Sequence, residues 1–484
     1  MRSECFWVAL VLAFCAAMVD AQSVSFRRVP GDFPVGFYPQ AVAVGDFNKD
    51  GQLDVAVANV DSDDVSILWG RGDGTFFQYC SNQPTQSCRT DNDCQGATCG
   101  ITVFTGSGPM AVAIGDFNNN GQLDIVTADN IGSTVTVLLN QGGTAFGDGI
   151  PTATGSSPAA VVVGDFNADG KLDVATANNL DNTVTVLFGT GDGNFTATPT
   201  TIPVGAEPIG LAVADLNGDK VLDLVVTNSS GGNNATGTIS VLIGTGTGAF
   251  TAQPEISSTA FNVPVAVTVA DVNGDGKPDL IVANEDGDTA SILLGNGSGA
   301  FQGAPNVGVG TSPESVVAVD FDGDGKVDLA TSNNFDDTVS VALGNGDGTF
   351  KLAVDFTVGS GPVGIAAADL NKDGKPDIVS ANGNDNSVSV LLNTSGQAVC
   401  VGDCDGSGDV SINELITMVD IALGNQSVSA CTAGDADNSG TIEINEIITA
   451  VNSALNGCPA ASPTGTPAST ATPTPTPSPT PTPT

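Results

Sequence analysis

The chain has 484 residues, with 13 Lys+Arg against 54 Asp+Glu, a formal net charge of −41 and no His. That acidity excludes a nucleic-acid partner, which needs clustered Lys and Arg. The missing His excludes Ser-His-Asp and Cys-His catalysis, His-ligated zinc and an imidazole base. An apolar content of 40% excludes a wholly disordered acidic chain.

Residues 6–19 form an apolar run preceded by Arg2 and followed by Val19-Asp20-Ala21. The run is short for a bilayer span, and small residues stand where a signal peptidase reads. Residues 1–21 are therefore expected to be a signal peptide, and the mature chain to be secreted or at the cell surface. No second apolar run long enough for a membrane span follows. Outside this leader eight Cys form two groups: Cys80, Cys88, Cys94 and Cys99, then Cys400, Cys404, Cys431 and Cys458. An even count in an exported chain points to disulfides, with their pairing open. A Cys-only zinc site is the rival reading, although the tight Cys-x-x-Cys pairs typical of one are missing.

From Asp46 onward one unit recurs. Asp46-Phe-Asn-Lys-Asp-Gly-Gln-Leu-Asp54 is echoed by nonapeptides that begin at Asp116, Asp165, Asp215, Asp271, Asp320 and Asp369, in steps of 70, 49, 50, 56, 49 and 49 residues. The long first step holds the four-Cys insertion, residues 77–104. In each unit a short β-branched segment leads into the nonapeptide and another follows it. An Asn/Asp turn, a third segment, a Gly-rich turn ending in Phe and a looser fourth segment complete the unit. Four short strands per unit at this period fit a propeller blade. The seventh unit lacks a fourth strand, and a spare strand lies within residues 23–36. Pairing the two would close a seven-bladed ring and leave no bare edge.

Acids or amides occupy positions 1, 3, 5 and 9 of each nonapeptide, usually with Gly at 6, whose freedom allows the bend that turns side chains inward. Converging oxygens suit Ca²⁺ better than Mg²⁺, which keeps several waters. The candidate ligands are Asp46, Asn48, Asp50 and Asp54; Asp116, Asn118, Asn120 and Asp124; and Asp165, Asn167, Asp169 and Asp173. The later copies offer Asp215, Asn217, Asp219 and Asp223; Asp271, Asn273, Asp275 and Asp279; Asp320, Asp322, Asp324 and Asp328; and Asp369, Asn371, Asp373 and Asp377. The copies at Asp116, with Asn120 at position 5, and at Asp215, with Lys220 in place of Gly, are expected to bind most weakly. An ion-free Asp/Asn/Gly hairpin is the bland alternative.

This repeat resembles the FG-GAP or VCBS family of integrin α-subunit propellers and secreted bacterial proteins, over residues 22–397. The resemblance implies a calcium-bearing seven-bladed propeller that often serves in adhesion or carbohydrate contact. Arg71-Gly72-Asp73 spells an integrin-binding tripeptide, but it falls in the Gly-rich turn that other units also have, so it reads as structural.

Residues 403–414 and 435–446 each fit a twelve-residue EF-hand loop. The expected ligands are Asp403, Asp405, Ser407, the Asp409 carbonyl and Glu414, then Asp435, Asp437, Ser439, the Thr441 carbonyl and Glu446. Helices are expected at 415–423 and 447–455. Two such loop–helix units resemble a dockerin type I domain over residues 398–458, which implies a cohesin-like partner. A long spacer and Glu at position 12 depart from that pattern, and a calcium-stabilised cap is the alternative. Nine Ca²⁺ ions would move the net charge from −41 to about −23. Residues 459–484 are nearly all Pro, Thr, Ser and Ala and read as an extended spacer.

The expected fold is thus all-β: a seven-bladed propeller closed by its N-terminal strand, plus a small α-helical module. The expected function is non-catalytic binding of an extracellular glycan or protein. A calcium-dependent polysaccharide lyase is the alternative, and it would have to find its base without His and with only Tyr38 and Tyr79 as tyrosines.

Overall fold

A computed structural model describes residues 24–80, 83–88, 101–142, 145–229, 236–258, 260–395, 402–404, 410–431, 434 and 441–456. The expected signal peptide, the terminal Pro/Thr segment, residues 405–409 of the first EF-hand-like loop and residues 435–440 of the second lie outside these residues. The chain divides into two compact units, residues 23–395 and a second unit that includes residues 396–484.

The first unit is a seven-bladed β-propeller. Its seven antiparallel sheets begin with the innermost strands Pro39–Gly45, Pro109–Gly115, Pro158–Gly164, Pro208–Ala214, Pro264–Ala270, Pro313–Val319 and Pro362–Ala368. Each innermost strand packs against the next, and the seventh packs against the first. The second strands, such as Asp54–Asn59 and Asp173–Asn178, are buried throughout, as expected for strands covered on both faces.

Closure uses the N-terminal segment. Phe26–Arg28 pairs antiparallel with the third strand of blade 7, Phe26 opposite Asn393, and Phe33–Pro34 pairs with Val388 and Ser387. Phe26 also meets Phe321 and Phe356 of blade 6 edge to face, at 5.5 and 5.1 Å, while Phe33 meets Phe76 of blade 1 at 5.1 Å. Such contacts add to the area buried.

In the Cys-rich stretch, Phe76–Cys80 and Gln83–Cys88 form a hairpin that continues from the third strand of blade 1. Ile101–Phe104, at the end of that stretch, pairs with Asp64–Ile67 and is the fourth strand of blade 1. The insertion therefore sits between the third and fourth strands and leaves the ring intact.

The Phe residues that recur in the sequence cement neighbouring blades. Phe47, Phe117 and Phe166, at nonapeptide position 2, meet Phe146, Phe195 and Phe250 of the next blade at 6.0, 6.3 and 5.8 Å. Strand polarity then sorts the loops onto two faces. Nonapeptides and Gly-rich turns lie on one, and second-to-third-strand loops and blade-to-blade crossings lie on the other.

On that other face an Asp or Asn side chain latches blades 1, 3, 5 and 6 to their exit crossings. Asp63 accepts the Gly108 N–H at 2.7 Å, Asn182 that of Glu207 at 2.8 Å, Asp288 that of Ser312 at 3.0 Å, and Asp337 that of Gly361 at 2.8 Å. Both partners are left-handed: Asp63 has φ 54° and Gly108 67°, and Asn182 has 55° and Glu207 54°. Asp and Asn tolerate this conformation better than most residues.

In the second unit, helices Ile412–Ala422 and Ile444–Asn456 pack around Val410, Met418, Ile421, Ile442 and Ala450. Both start three residues before the expected positions. The first does so because Ser411 and Glu414 form a reciprocal capping box. Cys404 and Cys431 form a disulfide, which settles one of the open pairings.

Candidate metal centre

Each nonapeptide is a loop between the first and second strands of its blade, held by its own side chains. Asp46 accepts the N–H groups of Asp50 and Gly51, at 3.1 and 2.9 Å. Asn48 accepts that of Asp50 at 2.9 Å, and Asp50 accepts that of Gln52 at 2.7 Å. The same pattern recurs at Asp165, Asn167 and Asp169, and at Asp369, Asn371 and Asp373. Hydrogen bonds to the first carboxylate require the turn at position 6, where Gly51 has φ 81° and Gly374 86°.

Two details differ from the expectation drawn from sequence. Position 4 is left-handed as well, including Lys49 at φ 58°, Ala168 at 59° and Lys372 at 62°. Lys220, at the position-6 site that Gly holds in the other copies, adopts φ 69° and donates its N–H to Asp215 at 2.8 Å. The fourth loop thus keeps the backbone path of its neighbours. Nor does Asn120 alter the second loop, since its N–H still reaches Asp116 and Asn118, both at 3.0 Å.

The position-9 aspartates do more than the repeat suggested. Each is buried and bridges two strands. Asp54 accepts the N–H of Phe47 at 2.9 Å and of Gly70 at 2.8 Å; Asp173 accepts those of Phe166 and Gly189 at the same distances. Asp124, Asp223, Asp279, Asp328 and Asp377 repeat the arrangement. Burial pushes these carboxyls up, Asp54 to about 7 and Asp124, Asp173, Asp328 and Asp377 to about 6, against the opposing pull of the two N–H groups.

Carboxylates converge most closely in the sixth copy. One oxygen each from Asp320, Asp322 and Asp328 lies within 4.8 Å of the others. Burial raises the pKa of Asp322, and the charge of Asp324 adds to it. Three oxygen donors held together against desolvation and mutual repulsion fit a hard divalent cation. These acidic residues could bind a metal. Asp324, the position-5 acid, instead faces Lys326, at 2.7 Å, as Asp275 faces Lys277 at 3.0 Å.

In the second unit Asp403, Glu414, Thr441 and Glu446 are described, whereas Asp405, Ser407, Asp409, Asp435, Asp437 and Ser439 lie outside the described residues. Glu414 is buried and accepts the N–H groups of Cys404 and Ser411, at 2.8 and 2.6 Å. Glu446, also buried, accepts that of Glu443 at 2.8 Å. Opposite the shared core, Ile412, Ile416, Val419 and Leu423 form an exposed stripe. Ile444, Ile448, Val451 and Leu455 repeat it on the other helix with the same spacing. Among the described residues no helix is long and apolar enough to cross a membrane.

The model of the FG-GAP-like repeat matches six overlapping segments, residues 46–127, 116–176, 165–226, 229–282, 271–331 and 320–380. Five of the six begin at a nonapeptide. No curated protein matches the chain. Among solved structures, BBS1N in complex with ARL6DN, from a mercury-soaked crystal, is 12% identical with a TM-score of 0.52, covering 78% of this chain and 99% of that one. Its lead-soaked counterpart is 13% identical with a TM-score of 0.50, covering 77% and 98%. A catalytically inactive virginiamycin B lyase from Staphylococcus aureus with Quinupristin is 14% identical with a TM-score of 0.47, covering 76% and 99%. At these identities the BBS1N matches speak to the fold alone.

Proposed function

The chain belongs to the FG-GAP-like repeat family, and from that membership we propose that it is a secreted or cell-surface calcium-binding propeller. In this reading it is a non-catalytic module that binds an extracellular protein or glycan. The observation that carries the reading is the convergence of Asp320, Asp322 and Asp328 in a loop whose fold recurs in all seven blades. Ca²⁺ suits such oxygen sets because it accepts six to eight ligands in loose geometry. With calcium held on one face, the loops of the other are free to meet a partner. The absence of His and the fixed structural duties of the buried aspartates support binding over catalysis.

The second unit, in the same reading, docks a partner of the cohesin kind through its duplicated apolar stripes. Exposed Ile and Leu at matched positions of two helices present equivalent surfaces. Charge replacement at Ile416 and Ile448 should abolish such docking by the full chain, measured calorimetrically with a cohesin module. Equal binding by wild type and variant would exclude these stripes.

Calcium is tested directly by thermal unfolding of the intact protein in Ca²⁺, in Mg²⁺ and in EGTA. A midpoint raised by Ca²⁺ and lowered by EGTA is expected. Identical midpoints in all three would overturn the reading.

A further inference from the structure

Cations are segregated in this propeller. Seven of the eight lysines sit inside nonapeptides, and the eighth, Lys351, follows the Gly-rich turn of blade 6 at the same end. Arg71 lies in a Gly-rich turn there too, and Arg27 and Arg28 lie on the outer strand of blade 7. The loops and crossings of the latch face contain no Lys or Arg of their own; the Arg28 guanidinium reaches the Val358 carbonyl at 2.9 Å but is paired with Asp32. They do contain acids, with Asp61, Asp181, Asp286, Asp336 and Asp385 all exposed.

Exposed apolar side chains stand on this face as well, although the most exposed one of the propeller, Leu352 at 94%, lies beside Lys351 at the other end. Ile131, Leu180 and Phe335 hold the second position of the second-to-third-strand loops of blades 2, 3 and 6, at 70%, 72% and 75% exposure. Phe37, at 64%, stands in the crossing into blade 1. The loop backbones are pinned rather than loose: Ser156 donates its N–H to Asp181 at 2.7 Å, and Thr311 donates to Asp336 at 2.5 Å. Each pinned tip therefore places an apolar side chain beside a carboxylate.

We propose that the latch face is a docking surface for a cationic polypeptide segment bearing apolar side chains between its Lys or Arg residues. Charge complementarity selects the sign, since uncompensated acids attract a basic partner and repel an acidic one. Ile131 and Leu180 select polypeptide over sugar, because aliphatic tips pack against apolar side chains, whereas only Phe335 and Phe37 of these four tips supply an aromatic face. Acidic polysaccharide is disfavoured by the same field. The proposal deepens the binding-module reading by naming the partner's chemistry, and it rests on that reading.

The test uses the full chain saturated with Ca²⁺ and a labelled peptide of alternating Lys and Leu, with poly-lysine, chitosan oligomers and polygalacturonate as comparisons. Asp181→Asn, Asp336→Asn and Asp385→Asn are combined, because Asn keeps the acceptor oxygen that pins each loop. Leu180→Ser and Phe335→Ser form a second variant. Salt-sensitive binding of the Lys-Leu peptide is expected, weakened on the order of tenfold by the first variant and severalfold by the second. Polygalacturonate should not bind. No peptide binding, or binding that ignores both variants, overturns the proposal. So does a preference for chitosan, or binding of poly-lysine as tight as that of the mixed peptide. The calcium-dependent melting shift, recorded on the same samples, keeps the outcomes separate: a retained shift without peptide binding removes this surface and leaves the calcium-binding module standing.

Discussion

The side-chain oxygen of Asn386 accepts the backbone N–H of Tyr38 at 2.9 Å, across 348 residues of sequence. Both are left-handed, at φ 52° and 53°, as Asn182 and Glu207 are in blade 3. The ring is thus closed by the same latch that fastens blades 1, 3, 5 and 6, with the N-terminal strand standing in for the fourth strand that blade 7 lacks.

Removing that strand should cost more than its length implies. A chain beginning at Phe37 exposes the edge of Ser387–Asn393, loses the Phe26 contacts and leaves an open ring. Loss of a single cooperative melting transition and concentration-dependent association are expected, checked by calorimetry and size-exclusion chromatography. Asn386→Ala alone, in the full chain, should cost about 1 kcal/mol.

Asp173 and Asp165 separate two duties within one loop. Asp173→Ala leaves the buried N–H groups of Phe166 and Gly189 without their acceptor and should cost about 2–4 kcal/mol even in EGTA. Asp165→Ala affects exposed N–H groups and should cost less than about 1 kcal/mol in EGTA while weakening the response to Ca²⁺. Urea unfolding with and without calcium distinguishes the two.

Asp129 replaces the Asn that ends the second strand in the other six blades. Burial pushes its carboxyl above the usual range, although Thr136, Thr127, Thr134 and Thr105 donate hydroxyls to it. A folded-state pKa above the unfolded value means that the folded chain holds this proton more tightly. The resulting stability is present below the unfolded pKa and is lost as pH rises through the folded one. Asp129→Asn should flatten that fall and raise stability at neutral pH, measured by urea unfolding across pH 4–8. An unchanged pH profile would show that Asp129 titrates alike in both states.

Lys220 holds φ 69° where the other copies have Gly. Lys220→Gly should relieve that strain and raise stability by about 0.5–1 kcal/mol, read from the urea midpoint. A decrease would show that the Lys side chain contributes more than its backbone costs.

Much of the fold was legible because the repeat is periodic. The nonapeptides, the four short strands and the missing strand of blade 7 together imply a closed ring of seven. The pattern of alternate acids and amides around a Gly was legible as well, because it stands out in sequence. The second duty of the position-9 aspartates was not, since the partners that fix Asp54 include Gly70, a full strand away. The role of position 4 was hidden because Lys49, Ala168 and Lys372 give no sign of a left-handed turn. The latches were hidden for the same reason, as nothing near Asn386 points to Tyr38.

By itself the sequence determined the number of blades, the strand order within each and the clustering of acids with lysines, because these follow from local pattern and period. Only the tertiary structure decided which oxygens converge, which carboxylates are spent on buried N–H groups, and how charge is divided between the two faces. Those properties depend on strand polarity and on contacts between blades. Burial sets the cost of each charge, and burial exists only once the ring has closed.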